Sequence, residues 1–410
     1  MRVEKNLVAG LLLAGVLLAT LAPELMGAQN GWGDYKSEEL VCRMQPGYAI
    51  EIVNDLFGTS VKGNLPQTNC FLLATPEGAD PETLAVAIME LPEVLYCGAN
   101  YYLDAAEPFQ RSQPFLDQQV IGEFLLQAAA DTLDLDAAQL LSDGSAVPVA
   151  VIDGGINLSH PEFSLKSGGI VSGWDYVDDD PEADDEAGGP GSGHGTFVAG
   201  VVRLTAPGAP IYAYRVLDTL GRGDGYTIAA ALLRAVDDGC RVINLSLGMV
   251  GKNDALDDAM KYAEHLQVMV VAAAGNDSTE SNYVFPFPAA RNNCYAVAAL
   301  DSTNRKADFS NFGLKVDGCA PGTEIYSPYL DTSYAWWSGT SFAAPFVSGL
   351  AALLLASDPA LTPEQIKSII AMTAVSIDAD NPGLEGRRGC GLIDPVAALQ
   401  YLQNYLCGDA

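Results

Sequence analysis

An α/β fold, with three layers built on a central, mainly parallel β-sheet flanked by helices, is predicted for most of this 410-residue chain. Three observations predict it. The stretches "VPVAVID", "IYAYRVLD", "RVINLSLG", "VMVVAAAGN" and "CYAVAAL" are continuous apolar runs bounded by Gly, Asn or Asp, as strands buried on both faces of a parallel sheet require. Helix-patterned stretches such as "TIAAALLRAVDDG" and "NDALDDAMKYAEHL" fall between them, and that alternation marks a layered α/β domain. With 49% hydrophobic residues and 41 glycines, the chain can bury a sizeable core and is not disordered.

Taken in order, residues 1–28 read as an export signal: Arg2 and Lys5 give a basic start, and Leu7 to Leu21 is uncharged and largely apolar, short for a membrane span. Secretion or a periplasmic location follows, with membrane attachment only if this segment stays uncleaved. Residues 38–104 follow a strand, helix, strand, strand, helix, strand pattern, "LVCRM", "YAIEIVNDLFG", "SVKGNL", "CFLLAT", "PETLAVAIMELP" and "VLYCGANYYL", the split βαβ arrangement of a small α+β ferredoxin-like domain. Residues 105–133 read as a polar linker running into a helix. The large α/β domain occupies 134–405. The net charge of −31 argues against nucleic acid as a partner, because phosphates would be repelled.

The chemistry-bearing residues sit where such a sheet forms its cleft, at the carboxyl ends of strands. In "WSGTSFAAPFVSG" the run from Ser341 onward is small and apolar almost all round, as in a buried helix. Pro345 fits a first helical turn, which puts Ser341 at the helix's N-terminal edge, among unpaired N–H groups. Such a serine is either a nucleophile or an ordinary cap. Asp153 ends "VAVID", His194 lies in "GSGHGTFVAG" and Asn276 ends "VVAAAGN". Only three histidines are present; His265 falls among charges and His160 precedes a proline, so His194 has the best context. Together the four residues supply a nucleophile, a base, an acid to orient the base and an oxyanion donor.

The segments "VAVIDGGINLSHPEF", "GHGTFVAG", "INLSLG", "AAAGN" and "SGTSFAAP" resemble the five sequence blocks of the subtilisin-like serine peptidases, in that family's order. The resemblance runs from about Asp134 to Leu402, and Glu39 to Leu103 resembles the family's inhibitory propeptide. It implies Ser341 as nucleophile, His194 as general base, Asp153 as the residue holding the imidazole and Asn276 as oxyanion donor; Ser338, Thr340 and Ser348 have no such partner. It also implies that Ser246, Leu247 and Gly248 line the first specificity pocket, with Ala274 and Gly275 beside them. Gly221 and Gly223 would form the opposite edge of the substrate groove, unless "LGRGDG" is an ordinary turn.

Several positions depart from the family pattern. The aspartate block reads DGG, Phe197 stands where a second histidine is frequent, and Phe342 follows the serine where methionine is common. Asp175, Asp178, Asp180 and Asp184 resemble a loop that holds calcium as a structural ion in some relatives; the alternative is a solvated acidic loop in a chain with 52 acidic residues. Glu162 is doubtful as a calcium ligand, because "VVRLTAPGAPIY" is too short for the family's inserted loop. No cofactor is expected for catalysis.

The eight cysteines would be permitted to pair after export. Cys294 and Cys319 flank a turn-rich stretch and are a plausible pair, with isolated buried thiols as the alternative; Cys390 and Cys407 would lie ~25 Å apart along a helix, too far to bridge. Three cysteines precede the linker and five follow it, so either each side keeps an odd thiol, the favoured reading, or a disulfide crosses and holds the propeptide on after cutting. The function expected is an exported monomeric serine endopeptidase, made as a zymogen, with polypeptide substrates and its own propeptide as partners. The rivals are a propeptide-covered scaffold that only binds, and a peptide ligase or cyclase on the same triad. No Gly-x-Ser-x-Gly elbow supports a lipase.

Overall fold

The computed structural model describes residues 34–104, 115–117, 121–164, 168–249, 251–280 and 286–408. The proposed signal 1–28, linker residues 105–114 and 118–120, and residues 281–285 beside the expected specificity pocket lie outside them. In the N-terminal unit, strands β1 (Tyr35–Met44), β2 (Ser60–Leu65), β3 (Cys70–Ala74) and β4 (Val94–Asp104) pair antiparallel in the order β2-β3-β1-β4. Period-two alternation along β1 splits its side chains between two cores. Leu40, Cys42 and Met44 pack with Val53, Leu73 and Ile88 beneath helices Glu51–Phe57 and Pro81–Ile88. Val41, with Leu65, Cys70 and Leu103, joins a core of the large domain that includes Ile228, Leu232 and Leu256. Helix Pro81–Ile88 starts where expected: Pro81 opens it and the Asp80 side chain accepts from Thr83 N–H, satisfying one of the donors that a helix start leaves unpaired.

After β5 (Phe115–Asp117) come β6 (Val149–Asp153), β7 (Ile170–Asp175), β8 (Ile211–Arg215), β9 (Arg222–Asp224), β10 (Val242–Leu245), β11 (Met269–Ala273), β12 (Tyr295–Leu300), β13 (Gly318–Pro321), β14 (Ile325–Pro328) and β15 (Tyr334–Trp337). Seven of them form a parallel sheet, β13-β12-β11-β10-β6-β8-β7. The five predicted strands are its interior. The two edges, β7 and β13, were not legible as strands. The first is half-exposed and broken by Gly173, and the second is four residues long; neither shows the long apolar run that burial on both faces imposes.

Helix Thr340–Ser357 is buried for almost its whole length against that sheet. Among the described residues it is the one helix long and apolar enough to cross a membrane, yet 89% of its apolar window is inside the molecule. It packs closely on helix His194–Thr205: a Cβ on Gly349 would come within 2.4 Å of Thr205, so only glycine allows that approach.

Of the two readings of Cys294 and Cys319, the structure has isolated buried thiols and not a disulfide; seven described cysteines, these two included, are free. Cys319 lies opposite Ala298 in the β12–β13 ladder, four residues along from Cys294. At ~3.3 Å per residue that separation exceeds what a disulfide spans. The side chain of Cys407 lies outside what is described.

Candidate active site

The carboxyl ends of β6, β10 and β11 and the starts of two helices meet at one place. Asp153 is the last residue of β6 and His194 the first of its helix. His194 Nδ1 and Asp153 Oδ1 are 2.7 Å apart, with each side chain only 1% exposed. Gly154 N–H also donates to that carboxylate oxygen at 2.7 Å. The DGG departure is harmless at its first glycine, where a Cβ would meet nothing closer than 3.8 Å. The second glycine is obligatory: Gly155 has φ +95°, and a Cβ there would lie 2.3 Å from the Asp184 carbonyl oxygen.

Ser341 is the second residue of its helix and fully buried. Pro345 lies a turn deeper in that helix than expected. The physical reason is local. A proline at 345 cannot donate to the carbonyl of Ser341, four residues earlier, and Ser246 Oγ donates to that carbonyl instead, at 2.7 Å. Asn244 Nδ2 donates to Ser246 Oγ at 2.9 Å, and Ser348 Oγ donates to Asn244 Oδ1 at 2.8 Å. Ser246, the first residue of the expected specificity segment, is thereby tied to the backbone of Ser341. Ser341 Oγ–H itself donates to Ser246 O at 3.2 Å.

Asn276 is fixed by a residue that sequence reasoning passed over. Thr340 N–H and Thr340 Oγ1–H both donate to Asn276 Oδ1, each at 2.9 Å, and Gly275 N–H donates to Thr340 Oγ1 at 3.1 Å. With its oxygen held, the amide's donor end is directed away from Thr340. The remaining hydroxyls of the segment are structural as well: Ser338 Oγ accepts from Glu324 N–H at 2.9 Å. The only signal in the sequence for Thr340 was its position next to Ser341.

The histidine helix has a second anchor that sequence reasoning missed. Asp185 Oδ1 accepts from Gly193 N–H at 2.8 Å, and Oδ2 accepts from Thr196 N–H at 3.1 Å and Thr196 Oγ1–H at 2.6 Å. Burial outweighs these bonds and pushes the Asp185 carboxyl up to about 7. The two unusual phenylalanines touch each other: the Phe197 and Phe342 ring centroids are 4.4 Å apart, and Phe342 lies 5.5 Å from the His194 ring. Trp337 meets the same imidazole edge-on at 5.7 Å. His160 is buried, with Nε2 3.1 Å from the Ser333 carbonyl, and burial lowers its pKa. His265 is exposed at the end of a surface helix.

The groove edges also have definite positions. Ser246, Leu247 and Gly248 follow β10, and Ala274 and Gly275 follow β11. Gly221 sits in a turn and Gly223 in β9, which is a strand rather than only a turn. Its partner is the end of the N-terminal unit: Tyr102 pairs with Asp224, Leu103 with Gly223 and Asp104 with Arg222, antiparallel. Leu103 is fully buried there.

The acidic loop does not fit calcium as it stands. Arg215, at the end of β8, donates to Asp175 Oδ2 at 2.8 Å, Asp178 Oδ2 at 2.6 Å and Glu186 Oε2 at 2.8 Å. Asp180 Oδ1 accepts from Glu182 N–H and Asp184 Oδ1 from Leu158 N–H. Among the described residues no group of three or more His, Cys, Asp or Glu side chains could hold a metal ion. Glu162 accepts from the Tyr334 hydroxyl at 3.0 Å.

Comparison with known proteins agrees with this geometry. The subtilase family model matches residues 144–391. Thermitase of Thermoactinomyces vulgaris is 39% identical over 272 residues, which is 64% of this chain and 91% of thermitase. A Deinococcus radiodurans protein described as "Probable subtilase-type serine protease" is 30% identical over 406 residues, covering 88% of this chain and 55% of its own length. Fervidolysin of Fervidobacterium pennivorans, described as a keratinolytic enzyme related to subtilisin, superimposes with a TM-score of 0.74 at 26% identity, over 90% of this chain and 61% of its own. A parallel sheet of this order, with these residues at its strand ends and this family match, places the chain in the subtilase family of serine endopeptidases.

Proposed function

We propose that the chain is an exported zymogen that hydrolyses polypeptides through Asp153, His194 and Ser341, with Asn276 as oxyanion donor. The observation that carries the reading is the buried 2.7 Å contact between His194 Nδ1 and Asp153 Oδ1. A carboxylate there holds the proton on Nδ1, so Nε2 is the basic nitrogen that takes the Ser341 Oγ proton during attack on the peptide carbonyl. Nε2 then returns that proton to the leaving amine, and water hydrolyses the acyl-enzyme by the reverse sequence. Negative charge develops on the carbonyl oxygen beside the start of helix Thr340–Ser357, where backbone N–H groups and the Asn276 amide favour it. None of these steps needs a cofactor.

The zymogen reading rests on β4. A substrate adds to such a groove as an antiparallel strand, and Tyr102–Asp104 of the N-terminal unit already fills that role on β9. Cutting within 105–133 would free the groove once the unit dissociates. Residues 1–28 supply the export reading; N-terminal sequencing of secreted material that begins at Met1 would oppose it.

The test is intact mass of the wild type and Ser341→Ala, each before and after a fluorophosphonate probe. The wild type is expected to lose its N-terminal piece and gain one adduct, whereas Ser341→Ala stays full length and unlabelled. A wild type that has lost its N-terminal piece and stays unlabelled would overturn the nucleophile assignment; if both proteins remain full length and unlabelled, either an external protease matures the chain or the binding-scaffold reading gains ground. Aminolysis products from a defined peptide, in place of hydrolysis, would favour a ligase.

A further inference from the structure

We propose that Cys42 and Cys97 form a cross-strand disulfide that staples the N-terminal unit internally. The two residues are direct partners in the antiparallel β1–β4 ladder. Directly opposite residues in such a ladder have Cα atoms ~4.5 or ~5.5 Å apart, inside the range that a disulfide spans. Both side chains belong to the same core, under the unit's two helices, so both sulfurs lie on one face of the sheet. Both thiols are free in the structure, so the pair stands reduced and in register for the bond.

The third cysteine of the unit cannot compete. Cys70 is the register partner of Arg43 and not of Cys42, so it points to the opposite face. There it packs in the core shared with the large domain and accepts from the Tyr96 hydroxyl at 3.4 Å. The odd number of cysteines before the linker then resolves into one bond and one buried thiol, with no covalent tie to the rest of the chain.

The bond forms by exchange with a disulfide oxidant such as oxidised glutathione. Cys97, the more exposed of the two, loses its proton, attacks one oxidant sulfur and expels the other half as a thiolate. Cys42 then loses its proton and displaces the second half, so one S–S bond is made, one is broken and two electrons pass to the oxidant. The Cys42 contact and burial both push the Cys97 thiol up, which disfavours the attacking thiolate in the folded protein. Formation during folding is therefore expected, and slow formation afterwards.

The test uses the full chain carrying Ser341→Ala, which keeps the unit attached if Ser341 is the nucleophile, and its peptide readout is the same if it is not. It is refolded with a reduced and oxidised glutathione mixture, alkylated and cleaved after glutamate. Cleavage separates all three cysteines, into Leu40–Glu51, Ile52–Glu77 and Val94–Glu107. The expected result is a linked pair of Leu40–Glu51 with Val94–Glu107, lost on reduction, and an alkylated Ile52–Glu77. Cys97→Ser in the same chain should leave Cys42 alkylated. Singly alkylated Cys42 and Cys97 after oxidative refolding, or either one linked to Cys70, would overturn the proposal.

Discussion

Thr340→Val tests whether Asn276 works alone or as the outer part of a clamp. Valine keeps the shape of threonine and removes only its polarity. Two contacts disappear: the 2.9 Å bond from Thr340 Oγ1 to Asn276 Oδ1 and the 3.1 Å bond from Gly275 N–H to Thr340 Oγ1. The backbone bond from Thr340 N–H to Asn276 Oδ1 survives, so the amide is loosened but not released. A neutral hydrogen bond is worth about 1 kcal/mol net, and an orphaned buried N–H costs about 1–3 kcal/mol. Most of the second term falls on stability, because Gly275 N–H is unpaired in free enzyme and transition state alike. About 1–2 kcal/mol of transition-state stabilisation is therefore at stake, a roughly 5- to 30-fold fall in kcat. Removing Asn276 outright should cost about 100- to 1,000-fold. KM should stay within about twofold, since the interaction is made in the transition state. The assay is steady-state hydrolysis of a chromogenic peptide, normalised to fluorophosphonate-titrated sites, with Thr340→Ser expected to restore most of the rate. A kcat within about twofold of wild type in a folded Thr340→Val protein, or a loss as large as that of Asn276→Ala, would refute the reasoning.

The Asp185 carboxyl, held near 7 by burial against an ordinary 3.8, binds its proton more tightly in the folded than in the unfolded chain. Its contribution to stability is full below pH 4 and disappears as pH rises through 7, at up to about 1.4 kcal/mol per pH unit. Denaturant titrations at several pH values should show the wild type losing stability relative to Asp185→Asn over that window; parallel curves would contradict it. Because Asp175 and Asp178 already have Arg215 as a partner, a chelator is expected to move Tm by less than about 2 °C. A larger fall that calcium reverses would show that the acidic loop rearranges around the ion. Arg215→Leu leaves the buried Asp175 without its counter-ion and should destabilise the fold by about 3–5 kcal/mol, read as a drop in the urea midpoint. With Phe342 in place of a thioether beside Ser341, activity should survive mild peroxide; rapid inactivation with an oxidised peptide around Ser341 would rule this out.

The sequence by itself determined the interior of the large domain and singled out the residues of the candidate site. A strand buried on both faces must be apolar throughout, so β6, β8, β10, β11 and β12 could be read directly. A polar residue at the end of such a strand has few reasons to be there, so Asp153 and Asn276 stood out. Only the tertiary structure decided how those residues are held. Thr340, Asp185 and the Ser348, Asn244 and Ser246 relay act through hydrogen bonds between segments up to about a hundred residues apart, and a short polar residue looks the same in sequence whether or not it makes such a bond. The same limit explains the cysteines. Cys294 and Cys319 looked close along the chain but are offset in the ladder, whereas Cys42 and Cys97 are distant in sequence and directly opposed. Spacing along a chain fixes local periodicity, but registry between strands is set by the packing of whole sheets.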